Sequence, residues 1–278
     1  MKKLYVTDLD HTFLRSSQKV SSFSKEIWNK KAHTALLSVA TARSFSKTHE
    51  FLNGLILKAP LILLDGAMVA TTEKKLLNIQ TLSAELSEAI IQESHQFDIQ
   101  PFVISLNDHK SLDETFAIPP LLNDFQSFLL GKSYADDSRL IFTKKIKGAE
   151  DTLKIVYMGE EKILRPLAEH LKRVFKTSIE VKLAPENYMK CYFLTILHPL
   201  GDKANALNIV LEYLDYSKEN TTVFGDSIND LGMFKLAGTA VAVSNALDEV
   251  KEVADIILKK SNDEDAVAHY LNTMIQSS

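Results

Sequence analysis

The chain contains one cysteine, Cys191, among its 278 residues. A single thiol excludes an internal disulfide framework and a zinc site built from several cysteines. Cys191 lies in an apolar run, where a lone cysteine is typically a small buried hydrophobic residue. The eight histidines are scattered along the chain without the spacing of metal ligands. The sequence therefore gives no sign of a metal centre with sulfur or imidazole ligands.

Long apolar runs and basic stripes are absent as well. No run approaches the roughly 20 residues of a membrane-spanning helix, and the N-terminus reaches Asp8 before a secretory apolar segment could form. The net charge is −4, with Lys and Arg spread along the chain. We therefore expect a cytoplasmic protein that binds neither nucleic acid nor membrane and shows no obligatory protein partner.

The nine glycines form neither the G-x-G-x-x-G fingerprint of dinucleotide-binding folds nor a P-loop, which excludes both of these nucleotide sites. No internal repeat is present. The composition, 45% hydrophobic and 24% charged, is ordinary for a globular protein. The length is sufficient for one large domain or two moderate ones.

Apolar runs alternate with amphipathic segments along both ends of the chain. Runs that are polar on neither face are typical of parallel strands covered by helices, and we predict an α/β core with a mostly parallel sheet flanked by helices. From 80 to 190 the connections become long and polar, and we interpret this segment as an inserted α+β domain. The predicted core is then 1–79 with 191–278.

Two carboxylates, Asp8 and Asp10, follow the first apolar run. If the strand continues, the two side chains lie on one face and share a pocket; if the chain turns directly after the strand, they lie together at the rim of that pocket. Like charges this close repel each other unless a cation holds them. The alternative interpretation is an Asp-rich turn in which Thr12 caps a helix.

Further polar groups follow other apolar runs. Thr41 and Arg43 follow the run at 35–40, where the Thr41 hydroxyl either caps the next helix or contacts a phosphate. Lys203 begins a predicted helix, although the helix dipole disfavours a cation there. The densest cluster, at 226–230, supplies Asp226, Asn229 and Asp230. A parallel sheet would bring these groups to one edge, where ligands bind in open α/β sheets.

Oxygen ligands without histidine or cysteine favour a hard cation, and Mg2+ fits best beside a phosphate. One carboxylate can attack phosphorus and form an aspartyl-phosphate. A second can protonate the leaving oxygen and then activate water. A hydroxyl and an ammonium would hold the phosphoryl oxygens, where negative charge must be stabilised.

With these motifs in order, the chain resembles the Cof-type phosphatases of the haloacid dehalogenase superfamily (subfamily IIB, with a C2 cap). The resemblance is most specific in FGDSINDLGMF at 224–234 and VSNALDEVK at 243–251. It implies a Rossmann-like core with an inserted cap that selects the substrate. It also implies Asp8 as nucleophile, Asp10 as general acid and base, and Thr41 and Lys203 as groups that bind and stabilise the phosphoryl group.

The resemblance further implies the ligands of the metal and the substrate. Mg2+ would be held by Asp8, the backbone carbonyl of Asp10, and Asp226, with Asp230 supporting its water shell. Asn229 would reach the phosphate or Asp226. The segment Thr41-Ala42-Arg43 would bind the phosphate, and Arg43 would touch the substrate.

Three positions depart from the family pattern. His11 and Ala204 stand where glycine is usual, and Asp65 stands where the family often has asparagine. We expect Asp65 to add a negative charge near the mouth of the cleft and to affect recognition rather than catalysis. The resulting hypothesis is a Mg2+-dependent phosphatase of small phosphorylated metabolites, with sugar phosphates as the expected class. The alternatives are a phosphomutase with the same core and a non-catalytic metabolite-binding regulator.

Overall fold

The computed structural model describes residues 3–186 and 188–276. Its strands are, in chain order, β1 (Leu4–Thr7), β2 (Leu36–Val39), β3 (Leu61–Leu63), β4 (Met68–Ala70), β5 (Leu76–Ile79), β6 (Phe102–Asp108), β7 (Asp113–Ile118), β8 (Leu140–Phe142), β9 (Thr152–Gly159), β10 (Glu180–Glu186), β11 (Cys191–Leu197), β12 (Thr221–Gly225), β13 (Thr239–Ala242) and β14 (Ile256–Ile257). Its helices are α1 (Ser22–Lys31), α2 (Phe45–Phe51), α3 (Ala84–Ser94), α4 (Asp124–Ser133), α5 (Glu161–Phe175), α6 (Lys203–Leu214), α7 (Leu231–Leu236), α8 (Asp248–Lys251) and α9 (Ala266–Gln276). The chain divides into two units, 1–78 with 202–278, and 79–201.

The first unit contains a parallel sheet in the order β14-β13-β12-β1-β2. Every residue of β1 is buried, because helices cover a parallel sheet on both faces. Thr7 at the end of β1 is level with Phe224 of β12 and Val39 of β2. The residues that follow these three strands therefore emerge side by side at one edge of the sheet. This arrangement confirms the predicted α/β class.

Helix α6 shows how local sequence sets an element boundary in this unit. The Asp202 side chain accepts a hydrogen bond from Asn205 N at 2.8 Å and so caps the helix. The helix ends at Asp215, whose left-handed φ of 54° terminates the hydrogen-bonded turns. Between the two caps the predicted apolar face is buried, consisting of Ala206, Leu207, Val210 and Leu211.

The second unit contains a six-stranded sheet in the order β10-β11-β9-β6-β7-β8. Its strand pairs are antiparallel, except that β7 and β8 run parallel. Buried apolar residues of α3 and α5 form one core with those of the sheet, among them Ile90, Ile91, Ile155, Tyr157, Leu164, Leu167, Leu171 and Leu194. A mixed sheet with helices is the α+β character that the sequence predicts for this segment.

The boundary of the second unit differs from the prediction. The sequence places 191–278 in the core, but β11 pairs with β9 and β10, so the second unit extends to residue 201. Apart from Thr195, the stretch from Tyr192 to Leu197 is apolar, which also suits a buried strand of a parallel sheet. The sequence pattern therefore identified the strand but not the sheet that it joins.

Four elements were not predicted, α2, β7, β8 and α7. Strand β7 lies in the part of the chain where the sequence predicts long, polar connections, and it contains Glu114, which is 1% exposed. Arg139, just before β8, forms an ion pair with Glu114 and a second one of 2.6 Å with Asp137. Pairing with arginine lets a carboxylate occupy a buried strand position. Arg139 is distant from Glu114 in the sequence, so the polar residues around Glu114 suggested a loop rather than a strand.

In the described part of the chain, no helix combines the length and apolar character needed to cross a membrane.

Candidate active site

Asp8 and Lys203 form the centre of the site in the first unit. Asp8 follows β1, and its backbone N–H donates to the Phe224 carbonyl of β12 at 2.9 Å. Lys203 Nζ lies 2.6 Å from Asp8 Oδ1 and 2.7 Å from Asp230 Oδ1. Lys203 is 0% exposed and Asp8 is 6% exposed. The structure therefore joins the predicted nucleophile to the predicted charge-stabilising lysine through a direct buried ion pair.

The position of Lys203 corrects one part of the sequence argument. The sequence suggested that each polar group follows a strand of the core sheet, but β11, which precedes Lys203, belongs to the second unit. Lys203 instead enters the site from the first residue of α6. Burial disfavours its charge, but the carboxylates of Asp230 and Asp8 outweigh this effect and raise the pKa of Lys203. The unfavourable helix position is thus compensated by two ion pairs.

Asp226 completes the acidic cluster. It follows β12, is 7% exposed, and accepts a hydrogen bond from the Thr12 hydroxyl at 2.7 Å. Burial and the neighbouring Asp8 raise the pKa of Asp226 well above its usual value. Burial also raises the pKa of Asp8, although the Lys203 ammonium opposes the shift. Three buried carboxylates beside one ammonium leave an excess of negative charge that a cation would relieve.

The geometry of the cluster fits a hard metal ion. Asp8, Asp226 and Asp230 each offer an oxygen atom, and these atoms all lie within 4.8 Å of one another. Mg2+ is held in proteins by one or two carboxylates together with substrate phosphate and waters. The donor set contains oxygen atoms alone, which excludes a preference for softer metals. The residues therefore fit Mg2+.

Asp230 has a different environment from the other two acids. Its Oδ2 accepts from the backbone N–H groups of Asp226 and Ser227 at 3.0 and 3.2 Å, while Oδ1 accepts from Lys203. A Cβ at Gly225 would lie 2.5 Å from Asp230 Cγ, so a side chain at 225 would displace this carboxylate. Asp230 thus fixes the loop that carries Asp226. These contacts agree with a supporting role for Asp230. The predicted support of the metal's water shell stays a prediction.

Asp10 lies in the tight turn Leu9–Phe13 that follows Asp8. His11, where the family usually has glycine, adopts a left-handed φ of 59°, and its carbonyl accepts from Asn245 Nδ2 at 2.8 Å. Both oxygens of Asp10 accept from Arg43, at 2.8 Å from Nε and 2.6 Å from Nη2. The predicted general acid is therefore held in a bidentate ion pair.

The segment after β2 carries the predicted phosphate-binding residues. Thr41 is fully buried, and its Oγ1 accepts from the backbone N–H of Arg43 at 3.1 Å. Ala42 is exposed between them. The Arg43 guanidinium lies 4.1 Å from the ring centroid of Phe51, in addition to its contact with Asp10. The structure thus brings Thr41 and Arg43 to the same sheet edge as Asp8.

Asp65 and Asn229 occupy positions that the sequence did not anticipate. Asp65 is 6% exposed and accepts a hydrogen bond from Asn229 Nδ2 at 3.1 Å. It also contributes to raising the pKa of Lys203. Asp65 is thus a buried carboxylate beside the catalytic candidates, and its expected effect on substrate recognition stays a prediction. Asn229 donates to Asp65, rather than to Asp226 as one prediction had it.

Thr12 is the polar contact that sequence reasoning missed. The alternative interpretation of the sequence makes Thr12 a helix cap, but its buried hydroxyl donates to Asp226, 214 residues away. The available signal was the position of Thr12 two residues after Asp10, within the turn Leu9–Phe13. A hydroxyl in that position can serve either a cap or a carboxylate, so the pattern did not separate them.

Comparisons with known proteins agree with this fold. The family model described as haloacid dehalogenase-like hydrolase matches residues 5–271. The 5-amino-6-(5-phospho-D-ribitylamino)uracil phosphatase YwtE of Bacillus subtilis is 24% identical, covering 98% of each chain. A crystal structure of a haloacid dehalogenase-like hydrolase from Bacteroides thetaiotaomicron has a TM-score of 0.77 at 22% identity, covering 99% of this chain and 100% of that chain. The structure of a subclass IIB sugar phosphatase has a TM-score of 0.75 at 16% identity, covering 98% and 99%.

Proposed function

The chain belongs to the haloacid dehalogenase-like hydrolase family, and on this basis we propose that it is a Mg2+-dependent phosphatase of small phosphorylated metabolites, foremost sugar phosphates. The observation that carries the proposal is the buried contact of Lys203 with Asp8 and Asp230, beside Asp226. It supplies a nucleophile, a fixed positive charge and a cation site in one cluster. The named activity of the Bacillus subtilis relative, a phosphatase, supports the reaction class.

In the first half-reaction, a carboxylate oxygen of Asp8 attacks the substrate phosphorus. A bond forms between Asp8 and phosphorus, and the bond from phosphorus to the leaving oxygen breaks. Protonated Asp10 gives its proton to that oxygen, and the product leaves as an alcohol. Asp10 must first release its bidentate contact with Arg43, since that contact occupies both of its oxygens.

In the second half-reaction, Asp10 removes a proton from water as the water oxygen attacks the same phosphorus. The bond from phosphorus to Asp8 breaks, which releases inorganic phosphate and restores both carboxyl groups to their starting states. Lys203 and the Thr41 hydroxyl stabilise the negative charge on the phosphoryl oxygens. When bound by Asp8, Asp226 and the Asp10 carbonyl, Mg2+ supplies further charge stabilisation as a Lewis acid.

The second unit selects the substrate in this proposal. The candidate groups of the first unit serve phosphate and metal, so they distinguish poorly between organic leaving groups. Residues 79–201 would supply the contacts that do. Variants within this unit should alter the ranking of sugar phosphates more than the turnover of a simple aryl phosphate. An unchanged ranking across such variants would contradict this assignment.

The test is release of inorganic phosphate from a panel of phosphorylated metabolites, with Mg2+ or with EDTA. The enzymes compared are the wild type, Asp8→Asn, and Asp248→Asn as a control on a side chain that is 93% exposed. We expect Mg2+-dependent release that Asp8→Asn abolishes and Asp248→Asn retains. Transfer of phosphate within the substrate without release would identify a phosphomutase instead. No reaction with any compound, by folded protein with Mg2+, would contradict the proposal.

A further inference from the structure

The turn at residues 64–66 links two parts of the site. The backbone N–H of Asp65 donates to the Thr41 carbonyl at 3.0 Å, and that of Leu64 donates to the Arg43 carbonyl at 3.1 Å. A Cβ at Gly66 would lie 2.2 Å from the backbone of Asp202, so the turn packs directly against the start of α6. Asp65 is therefore held at a fixed point between the phosphate-binding segment and the helix that carries Lys203.

The contact with Asp65 determines how the Asn229 side chain is oriented. An ionised carboxylate only accepts hydrogen bonds, whereas a carboxamide has one accepting oxygen and one donating NH2 group. At 3.1 Å from Asp65 Oδ1, only the Asn229 NH2 group can make a favourable contact. The amide is thereby fixed, and a rotation that exchanged its nitrogen and oxygen would bring two acceptors together.

The fixed orientation leaves the other end of the amide without a partner. Asn229 Oδ1 is buried and makes no hydrogen bond with any described residue. A buried acceptor without a donor is unfavourable, and such groups in native proteins usually have a water or ligand as partner. Asn229 lies between Asp226 and Asp230 in sequence, within the loop that shapes the acidic cluster.

We propose that Asp65 is a positioning residue that fixes Asn229 as a hydrogen-bond acceptor for an O–H donor, either a water or a substrate hydroxyl. The inference rests on the proposed phosphatase function. In this role Asn229 accepts a hydrogen bond through Oδ1. An Asn229 that bound a phosphoryl oxygen would instead donate an N–H to it. The proposed positioning role also explains the aspartate at position 65, because an asparagine there would pair with either orientation of the Asn229 amide.

An exchange of the two side chains tests the polarity. N229D alone places two carboxylates against each other, and we expect kcat/KM to fall by about 10- to 100-fold, the usual effect of losing a supporting contact. The double variant D65N/N229D restores the hydrogen bond with donor and acceptor exchanged, and it still leaves an acceptor oxygen at position 229. We expect it to regain most of the lost kcat/KM. Thermal unfolding of each variant shows that it remains folded.

A donor role for Asn229 gives the opposite result. If the amide donated to a phosphoryl oxygen, the D65N/N229D variant would present a carboxylate to that oxygen and would be no more active than N229D. That outcome, with both variants folded, overturns the inference. N229A distinguishes the two sources of the donor. A loss for a sugar phosphate alone identifies a substrate hydroxyl, and an equal loss for phenyl phosphate identifies water.

A measurement without catalysis separates this inference from the proposed function. In the wild type, the side-chain NH2 proton of Asn229 that donates to the buried Asp65 carboxylate should exchange slowly with solvent by NMR. The signal is assigned by its absence in N229D, and D65A should make its exchange much faster. Equal exchange rates in the wild type and D65A would refute the orienting role of Asp65, whether or not the protein releases phosphate.

Discussion

Replacing Lys203 with methionine will destabilise the first unit more than any change at an exposed lysine. Methionine has a similar length, but it leaves the carboxylates of Asp8 and Asp230 buried without their shared ammonium. Removing one partner of a buried ion pair typically costs about 3–5 kcal/mol of unfolding free energy. We expect a loss in this range when EDTA removes any cation that could replace the lysine charge.

The assay uses the only tryptophan of the chain. Trp28 lies in the first unit, is 1% exposed, and donates from Nε1 to the Ile56 carbonyl at 2.9 Å. Its fluorescence in a urea titration therefore follows unfolding of the unit that contains the site. Lys235→Met is the matched control, because Lys235 is exposed, and a surface change usually alters stability by less than about 0.5 kcal/mol.

A second variant tests the cause of the instability. In K203M/D230N one of the two unpaired carboxylates is neutral, so the loss should be smaller than in K203M by more than about 1 kcal/mol. Two results would refute the electrostatic explanation. One is a K203M loss below about 1 kcal/mol, close to that of the control. The other is a loss of unfolding free energy in K203M/D230N that equals the sum of the losses in K203M and D230N.

Three further predictions concern contacts around the cluster. Thr12→Val removes the hydrogen bond to Asp226 and should weaken Mg2+ binding by about 10- to 100-fold in a titration, and an unchanged affinity would contradict the supporting role. In Arg43→Lys, the lysine cannot reproduce the bidentate contact with Asp10, and kcat in the phosphate-release assay should fall. An unchanged kcat would show that catalysis does not need the bidentate contact. Cys191 is buried with its pKa raised to about 12, so at pH 8 a disulfide reagent should label it slowly in the native protein and fully in guanidinium, and rapid native labelling would contradict this.

The sequence predicted the parts of the fold that depend on local pattern. The continuous apolar run of β1 and the polar residues directly after it placed Asp8 at a sheet edge, and the register with β12 brings Asp226 beside it. Strand β11 was recognised for the same reason. Its sheet was not, because an apolar run is compatible with parallel and antiparallel partners.

The parts that were missed depend on partners far apart in the chain. Glu114 is buried in β7, where Arg139 pairs with it. The sequence around either residue does not predict that pair. Thr12 contacts Asp226 across 214 residues, and Asp65 contacts Asn229 across 164. A polar residue near a strand end is predictable as a candidate, but the atom that it contacts is decided by the folded chain.

The most direct test of the central claim is to detect the phosphoryl group on Asp8. Wild-type protein is mixed with substrate and Mg2+, quenched in acid within one turnover, and analysed by intact mass and peptide mapping. We predict a mass increase of one phosphoryl group located on Asp8, and none in Asp8→Asn. Phosphate release by the wild type without any phosphoryl-enzyme, or with the label on another residue, would contradict Asp8 as the nucleophile.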